Sequence, residues 1–235
     1  MKYVSLPEEK ERRLSFYLAM EEYVARQCSE HDLFFIWQVG PSVIFGRNQA
    51  VGQEVNESYC RANGIAMYRR KSGGGCVYAD KGNMMLSYVT AEEKVNVAFY
   101  TFINMLLLVL RKLGIESVST SHNDVLVEGK KVSGSACYHL NGRNVVHATL
   151  LYDTRMEHML QAITPPKEKL QAKGIASVRQ RITLLKDYLT ISKEELKTFI
   201  RQTLCEGEYR LTPADVEAIE ALEQTYLEDE FVYAL

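Results

Sequence analysis

Ala136-Cys137-Tyr138-His139-Leu140-Asn141-Gly142-Arg143-Asn144-Val145-Val146-His147-Ala148-Thr149-Leu150-Leu151-Tyr152 reads as two long strands joined by a tight turn. Asn141 and Gly142 both tolerate positive φ, which a two-residue type I′ hairpin demands at each position. A second turn-like pair, Glu128-Gly129, sits upstream between Asp124–Val127 and Lys130–Ser133. Further back, Leu33–Gln38, Ser42–Gly46 (after a break at Pro41), Ile65–Arg70, Cys76–Tyr78 and Met84–Val89 are short strand-like runs.

Helical patterns flank this sheet-rich middle. Glu8–Gln27 carries Leu14, Tyr17, Leu18 and Met20 on one side among charges. Val95–Leu113 places Phe99, Phe102, Leu106, Leu110 and Leu113 at helical spacing and stops at Gly114. Ser192 with Glu195 forms a capping box, and Thr212-Pro213 opens a further helix. Strands that cluster instead of alternating with helices predict an α+β fold, a mixed or antiparallel central sheet with flanking helices. The 235 residues are expected to form one domain over 1–235.

Composition narrows the classes. At 46 % hydrophobic and 25 % charged residues, this is the make-up of a soluble globular protein. A net charge of −2 lacks the global cationic field that holds nucleic acid, so no such partner is expected. The five cysteines, Cys28, Cys60, Cys76, Cys137 and Cys205, are odd in number and show no CxxC spacing. Reduced thiols in a cytoplasmic protein fit them best. Met1–Lys10 is charged and reads as no secretory signal. Val95–Leu110 is too short for a membrane span and reads as a buried helix, so no membrane association is expected. His31, His122, His139 and His158 show no metal-ligand spacing, and Glu21 and Glu22 default to a helix surface.

Two segments carry candidate chemistry. In Tyr68-Arg69-Arg70-Lys71-Ser72-Gly73-Gly74-Gly75-Cys76-Val77-Tyr78, three consecutive glycines are costly in backbone entropy. They suit a place where a ligand approaches the main chain, and their N–H groups beside basic residues can form an anion-binding nest. A flexible hairpin loop explains them equally well. The run is neither GxxxxGK[ST] nor GxGxxG. In Asn123-Asp124-Val125-Leu126-Val127-Glu128-Gly129-Lys130-Lys131-Val132-Ser133-Gly134-Ser135-Ala136, a lysine at the base of a hairpin can hold a phosphate and a carbonyl oxygen. Taken alone, a Lys-Lys pair is more often a solvated turn.

Taken in order, these and further motifs resemble the lipoate–protein ligase A family. They are Trp37, Gly46-Arg47-x-Gln49, Arg69-Arg70-x-Ser-Gly-Gly-Gly-x-Val-Tyr, Asp80-x-Gly82-Asn83, Asn123-Asp124, Gly-x-Lys131-Val-Ser-Gly-Ser-Ala, His147-x-Thr149 and Ala172-Lys173-Gly174 through Thr183. The resemblance runs from about Leu14 to Leu185. It implies the α/β domain shared with biotin–protein ligases. It also implies a reaction: lipoate and ATP, with Mg²⁺, give lipoyl-adenylate, which a lysine of an apo lipoyl domain then attacks. Such acceptors are E2 subunits of 2-oxoacid dehydrogenases or the glycine cleavage H protein.

By the same resemblance Lys131 is the essential lysine, and Arg70, Ser72, Gly73, Gly74 and Gly75 belong to the loop around the adenylate. Asn123 and Asp124 form a polar pair near the phosphate, with Asp124 toward magnesium. Trp37 and His147 line the lipoyl pocket, with Val77, Asn83 and Phe35 nearby, and Lys173 lies in a covering loop.

The sequence departs from the family pattern at Ala79, where a histidine is usual, at Cys137-Tyr138, where Tyr-Arg is usual, and at Ala148 in place of glycine. The C-terminal accessory domain of longer members is expected to be missing, its role falling to a small partner protein. Two alternatives stand beside the ligase. One is an octanoyltransferase of the same fold, which needs no ATP but needs a cysteine where Glu116–Asn123 has none. The other is a non-catalytic binder of lipoyl-adenylate, against which the retained Lys131 argues.

Overall fold

The computed structural model describes residues 1–28, 32–163 and 181–234. The central hairpin forms as its turn chemistry requires. Strands β9 (Lys130–Leu140) and β10 (Arg143–Leu151) pair antiparallel with Leu140 opposite Arg143, and Asn141 and Gly142 take φ of 51° and 74°. Glu128 and Gly129, at φ 49° and 74°, likewise join β8 (Asp124–Val127) to β9.

Around these hairpins an eight-stranded mixed sheet assembles in the order β11 (Gly207–Arg210), β1 (Lys2–Ser5), β2 (Leu33–Trp37), β6 (Asn83–Thr90), β10, β9, β8, β7 (Ser117–Ser119). The β11–β1–β2 edge is parallel and the remaining pairs are antiparallel. A second sheet has the order β4 (Ala66–Arg69), β3 (Ser42–Phe45), β5 (Val77–Ala79).

Side chains alternate across the large sheet, and each face has its own core. Phe34, Leu86, Tyr88, Val146, Ala148 and Leu150 meet helices α4 (Val95–Lys112) and α6 (Lys193–Leu204) on one face. Leu33, Phe35, Trp37, Met85, Val89 and Val145 meet helix α1 (Leu14–Gln27) on the other, and helix α7 (Pro213–Leu227) backs α1. The short helices α2 (Val51–Glu54), α3 (Glu57–Ala62), α5 (Met156–Ala162) and α8 (Asp229–Val232) gather around the small sheet.

Both C-terminal capping boxes form, at Ser192/Glu195 and at Thr212/Asp215. Helix α4 is long and apolar enough to cross a membrane, but it lays Phe102, Leu106, Val109 and Leu110 on the sheet. Its other face, with Tyr100 and Leu108, is exposed, so the helix is half-buried. Helix α1 starts at Leu14, not Glu8, because residues 8–13 are all charged and offer no apolar face to pack.

Candidate functional site

The site begins with strand alternation. Trp37, Met85, Thr149, Gly134 and Asp124 stand opposite one another on β2, β6, β10, β9 and β8. They make one cross-strand row on the α1 side of the sheet. The next row on that face is Phe35, Ser87, His147 and Ala136. A cavity of about 380 Å³ lies over these rows, a size suited to a small organic ligand. Leu18 from α1, with Ile44 and Val77 from the small sheet, gives it apolar walls. Gly74, Gly75 and Cys76 line it as well, and so do Lys131, Asp124 and His122.

A β-bulge aims the lysine. On β8 one step leads from Val125 to Leu126, while on β9 the partners are Ser133 and Lys131, so Val132 is an extra residue. Val132 is fully buried in the α4-side core, and the shift returns Lys131 to the cavity face that Gly134 and Asp124 share. The Lys131 ammonium pairs with the Asp124 carboxylate at 2.8 Å. It lies over Gly134, where a Cβ would come within 2.5 Å of Nζ. Glycine there leaves room for the charged head.

The glycine loop is held from beneath by Arg70. Its Nη2 donates to the carbonyls of Gly73 at 2.7 Å and Gly75 at 2.8 Å, its Nη1 to Ile44 O at 3.1 Å, and its Nε to Ser72 Oγ at 2.9 Å. In a trans peptide the N–H points opposite the C=O, so drawing the Gly73 and Gly75 carbonyls toward the guanidinium turns the Gly74 and Cys76 N–H groups away from it, as an anion nest needs. Gly74 has φ 90°, and Gly46 packs so closely beneath that a Cβ would lie 2.3 Å from Gly74 O. Burial lowers the Arg70 pKa to about 10, with Cys76 and Glu21 opposing, so it stays cationic at neutral pH.

A buried polar chain links this loop to the cavity floor. Ser72 Oγ meets His147 Nε2 at 2.7 Å, and His147 Nδ1 meets Glu21 Oε2 at 2.9 Å. Ser87 Oγ donates to Glu21 Oε1 at 2.6 Å and accepts from Trp37 Nε1 at 2.8 Å. One proton placement that satisfies every link has Arg70 Nε donate to Ser72, Ser72 to His147 Nε2, and His147 Nδ1–H to Glu21. Glu21 and Glu22, placed by their sequence on a helix surface, are 0 % and 1 % exposed. Each has charged or hydrogen-bonding partners, as buried carboxylates need. Their signal was the surrounding run Ala19-Met20 and Tyr23-Val24-Ala25, apolar on every side of the helix.

Of the residues singled out by sequence, Trp37, Arg70, Gly74, Gly75, Val77, Asp124, Lys131 and His147 line this one cavity. Ser72 supports it from below through His147. Gly73 contributes its carbonyl to Arg70 but no lining surface. Asn83 is fully buried and donates to Tyr78 O, pinning β5 to β6 outside the cavity. Asn123 makes the turn into β8 at φ 61° and its carbonyl accepts from Ser135, also outside the lining. Phe35 lies in the core behind Trp37. Lys173 and His31 lie outside the described residues.

Sequence reasoning did not assign Leu18, Ile44 or Met85 to the site; strand register and the packing of α1 and the small sheet bring them to it. Burial pushes the thiols of Cys76 and Cys137 up to about 12, so neither presents a thiolate at neutral pH. Among the described residues no three His, Cys, Asp or Glu side chains converge as a metal site.

A mixed sheet with helices on both faces is an architecture this chain shares with a solved relative. The bi-partite lipoate protein ligase of Thermoplasma acidophilum, analysed with its E2 lipoyl domain, superposes with a TM-score of 0.87 at 26 % identity over 100 % of this chain and 96 % of its own. Residues 14–205 match the lipoyl protein ligase A/B catalytic domain model, and the chain belongs to that family. It is 33 % identical over 213 residues to the lipoate-protein ligase LplJ of Bacillus subtilis, covering 86 % of this chain. It is 35 % identical to lipoate–protein ligase 1 of Staphylococcus aureus, covering 87 %. The match spans 64 % and 65 % of those two relatives' lengths.

Proposed function

We propose that this chain carries the catalytic centre of an ATP-dependent lipoate–protein ligase. The observation that carries the reading is convergence: Lys131 and Gly74–Gly75 line one cavity that also has an apolar floor. That floor, of Leu18, Trp37, Ile44, Val77 and Met85, suits a dithiolane on an aliphatic chain. The cationic and N–H-rich rim suits a carboxylate meeting a nucleoside triphosphate.

In the first step a lipoate carboxylate oxygen bonds to the α-phosphorus of ATP and pyrophosphate leaves, giving lipoyl-adenylate. In the second, the ε-amine of an acceptor lysine attacks the acyl carbonyl. AMP leaves with the C–O bonding pair, and the amine sheds a proton. Lys131 stabilises the negative charge that develops on the acyl and phosphoryl oxygens. The glycine loop offers N–H groups to the same oxygens, and burial by Trp37 and Leu18 keeps water from the anhydride.

Magnesium enters as the companion of ATP. A phosphate-bound Mg²⁺ takes one or two protein carboxylates and keeps waters, and Asp124 is the carboxylate that lines the cavity. The acceptor is proposed to be an apo lipoyl domain of an E2 subunit or a glycine cleavage H protein. The Thermoplasma relative, described with its E2 lipoyl domain, supports that class, and its bi-partite nature supports a separate accessory chain. A cytoplasmic location is part of the proposal, supported by an odd number of cysteines without CxxC spacing.

The test is purified protein with lipoate, Mg·ATP and an apo lipoyl domain, read by intact mass, with and without a candidate accessory chain. A lipoyl adduct that forms only with ATP is expected. Hydroxylamine should trap lipoyl hydroxamate. Transfer from an acyl thioester without ATP would instead make the chain an octanoyltransferase. Tight binding of lipoyl-adenylate without turnover would make it a binder.

A further inference from the structure

The segment just before the glycines is tethered residue by residue, and two of the tethers come from beyond the family-matched region, which ends at residue 205. Arg69, 2 % exposed, donates from Nε to Val232 O at 2.9 Å, at the end of α8. Its Nη1 holds the carbonyls of Gly46, Arg47 and Gln49, the turn on which the glycine loop rests. Arg70 gathers the loop's own carbonyls. Lys71 pairs with Glu22 Oε2, and the same oxygen accepts from the hydroxyl of Tyr226 on α7 at 2.8 Å. The Lys71 ammonium also lies 5.2 Å from the centre of the Tyr226 ring. Ser72 ends the series on His147 and Glu21.

The geometry points to Tyr226 as a positioning residue for the glycine loop, acting through Glu22 and Lys71 while α8 holds Arg69. Tyr226 is 1 % exposed and does not line the cavity. Its hydroxyl serves a carboxylate that is otherwise shared by Lys71 and Arg26. Removing that hydroxyl leaves the core packing in place but frees one of the two hydrogen bonds on Glu22 Oε2. Lys71 then gains latitude, and with it the base of the loop. The α7–α8 segment is thus part of the site's framework although no residue of it need touch a ligand. For ligand binding this inference rests on the ligase reading; for the loop's rigidity it does not.

The reporters are the amides of Arg47 and Arg70, which donate to Ser72 O and Phe45 O at the loop's base. In Tyr226→Phe these two amides should exchange with solvent about tenfold faster or more, the ratio a hydrogen bond to a charged group is worth. The amides of β10 should keep their wild-type rates. Lys71→Met should give the same local change, and the double variant should add little to either single one. A hydrolysis-resistant lipoyl-adenylate analogue should bind Tyr226→Phe several-fold more weakly than wild type.

Unchanged exchange at Arg47 and Arg70 overturns the proposal. So does a uniform rise that includes β10, because the hydroxyl would then hold the whole fold and not the loop. Faster local exchange in a protein whose wild type ignores the analogue upholds the tether and sinks the ligase reading.

Discussion

The two faces of the large sheet are built on opposite terms. Under α4 and α6 the strands present Phe34, Leu86, Tyr88, Val146 and Leu150 to a large apolar cluster, with Ser133 and Asn144 buried on the same face. Under α1 the same strands present Trp37, Ser87, His147 and Thr149 to two buried glutamates and a cavity. One face spends its surface on stability, and the other holds polar groups where only their hydrogen bonds justify them. The contrast teaches where function and folding can be separated: the same strands, one residue apart, serve each.

The sharpest break comes at Lys131. Lys131→Ala should lower ATP-dependent transfer by on the order of a thousandfold. The melting temperature should scarcely move, because the side chain is 39 % exposed and sits outside both cores. The initial rate of acceptor lipoylation with lipoate and Mg·ATP, read by intact mass, is the measurement. A variant with full activity would falsify the assignment of this lysine.

The opposite face should give the reverse result. Phe102, fully buried on α4 and stacked with Tyr88 at 6.2 Å, anchors the apolar core. Phe102→Ala should cost about 3–5 kcal/mol in denaturant unfolding. Activity per folded molecule should stay near wild type, since the ring faces away from the cavity. A large fall in specific activity at low temperature, where the variant is folded, would show the two faces to be coupled.

Legibility in the sequence follows the same division. The hairpin turns at 128–129 and 141–142, the helix over 95–112 and the caps at Ser192 and Thr212 were readable because each signal is local. The parallel edge was not: Lys2–Ser5 pairs with Gly207–Arg210 from the far end of the chain, and nothing in either segment announces the other. In the site, Lys131 and the glycines were legible as motifs, whereas the row Trp37–Met85–Thr149–Gly134–Asp124 exists only once strand register is set. Glu21 and Glu22 were hidden because a glutamate on a helix is exposed by default, and only a partner distant in sequence makes burial tolerable.

Glu21→Gln tests whether the polar face is a directed network. The amide puts an N–H where Ser87 O–H or His147 Nδ1–H needs an acceptor, so one donor faces another. The expected cost is about 2 kcal/mol of stability, typical of a hydrogen bond to a charged group. The more telling readout is His147, whose ring nitrogen shifts should report loss of the Nδ1–H tautomer. If the tautomer survives in the variant, Glu21 does not set it.

The smallest effect separates Glu22 from its neighbour by pH. Burial alone would raise the Glu22 pKa, but hydrogen bonds from Lys71, Arg26 and Tyr226 outweigh it and leave the carboxyl below its ordinary value. A depressed folded-state pKa means the carboxylate's contribution is complete above the unfolded value of about 4.3 and fades as pH falls through the lower folded value. Between neutral pH and about 5 the contribution should therefore be constant, and below about 4 it should be lost, by about 1 kcal/mol if it equals one net hydrogen bond. Wild type minus Glu22→Gln, followed by urea unfolding across that range, isolates the effect from other carboxylates. Apolar substitutions on the α4 face should leave this difference curve unmoved. A curve that is flat from neutral pH down through pH 3 would mean that Lys71 and Tyr226 hold the glutamine as well as the glutamate, and that packing, not charge, fixes this corner of the site.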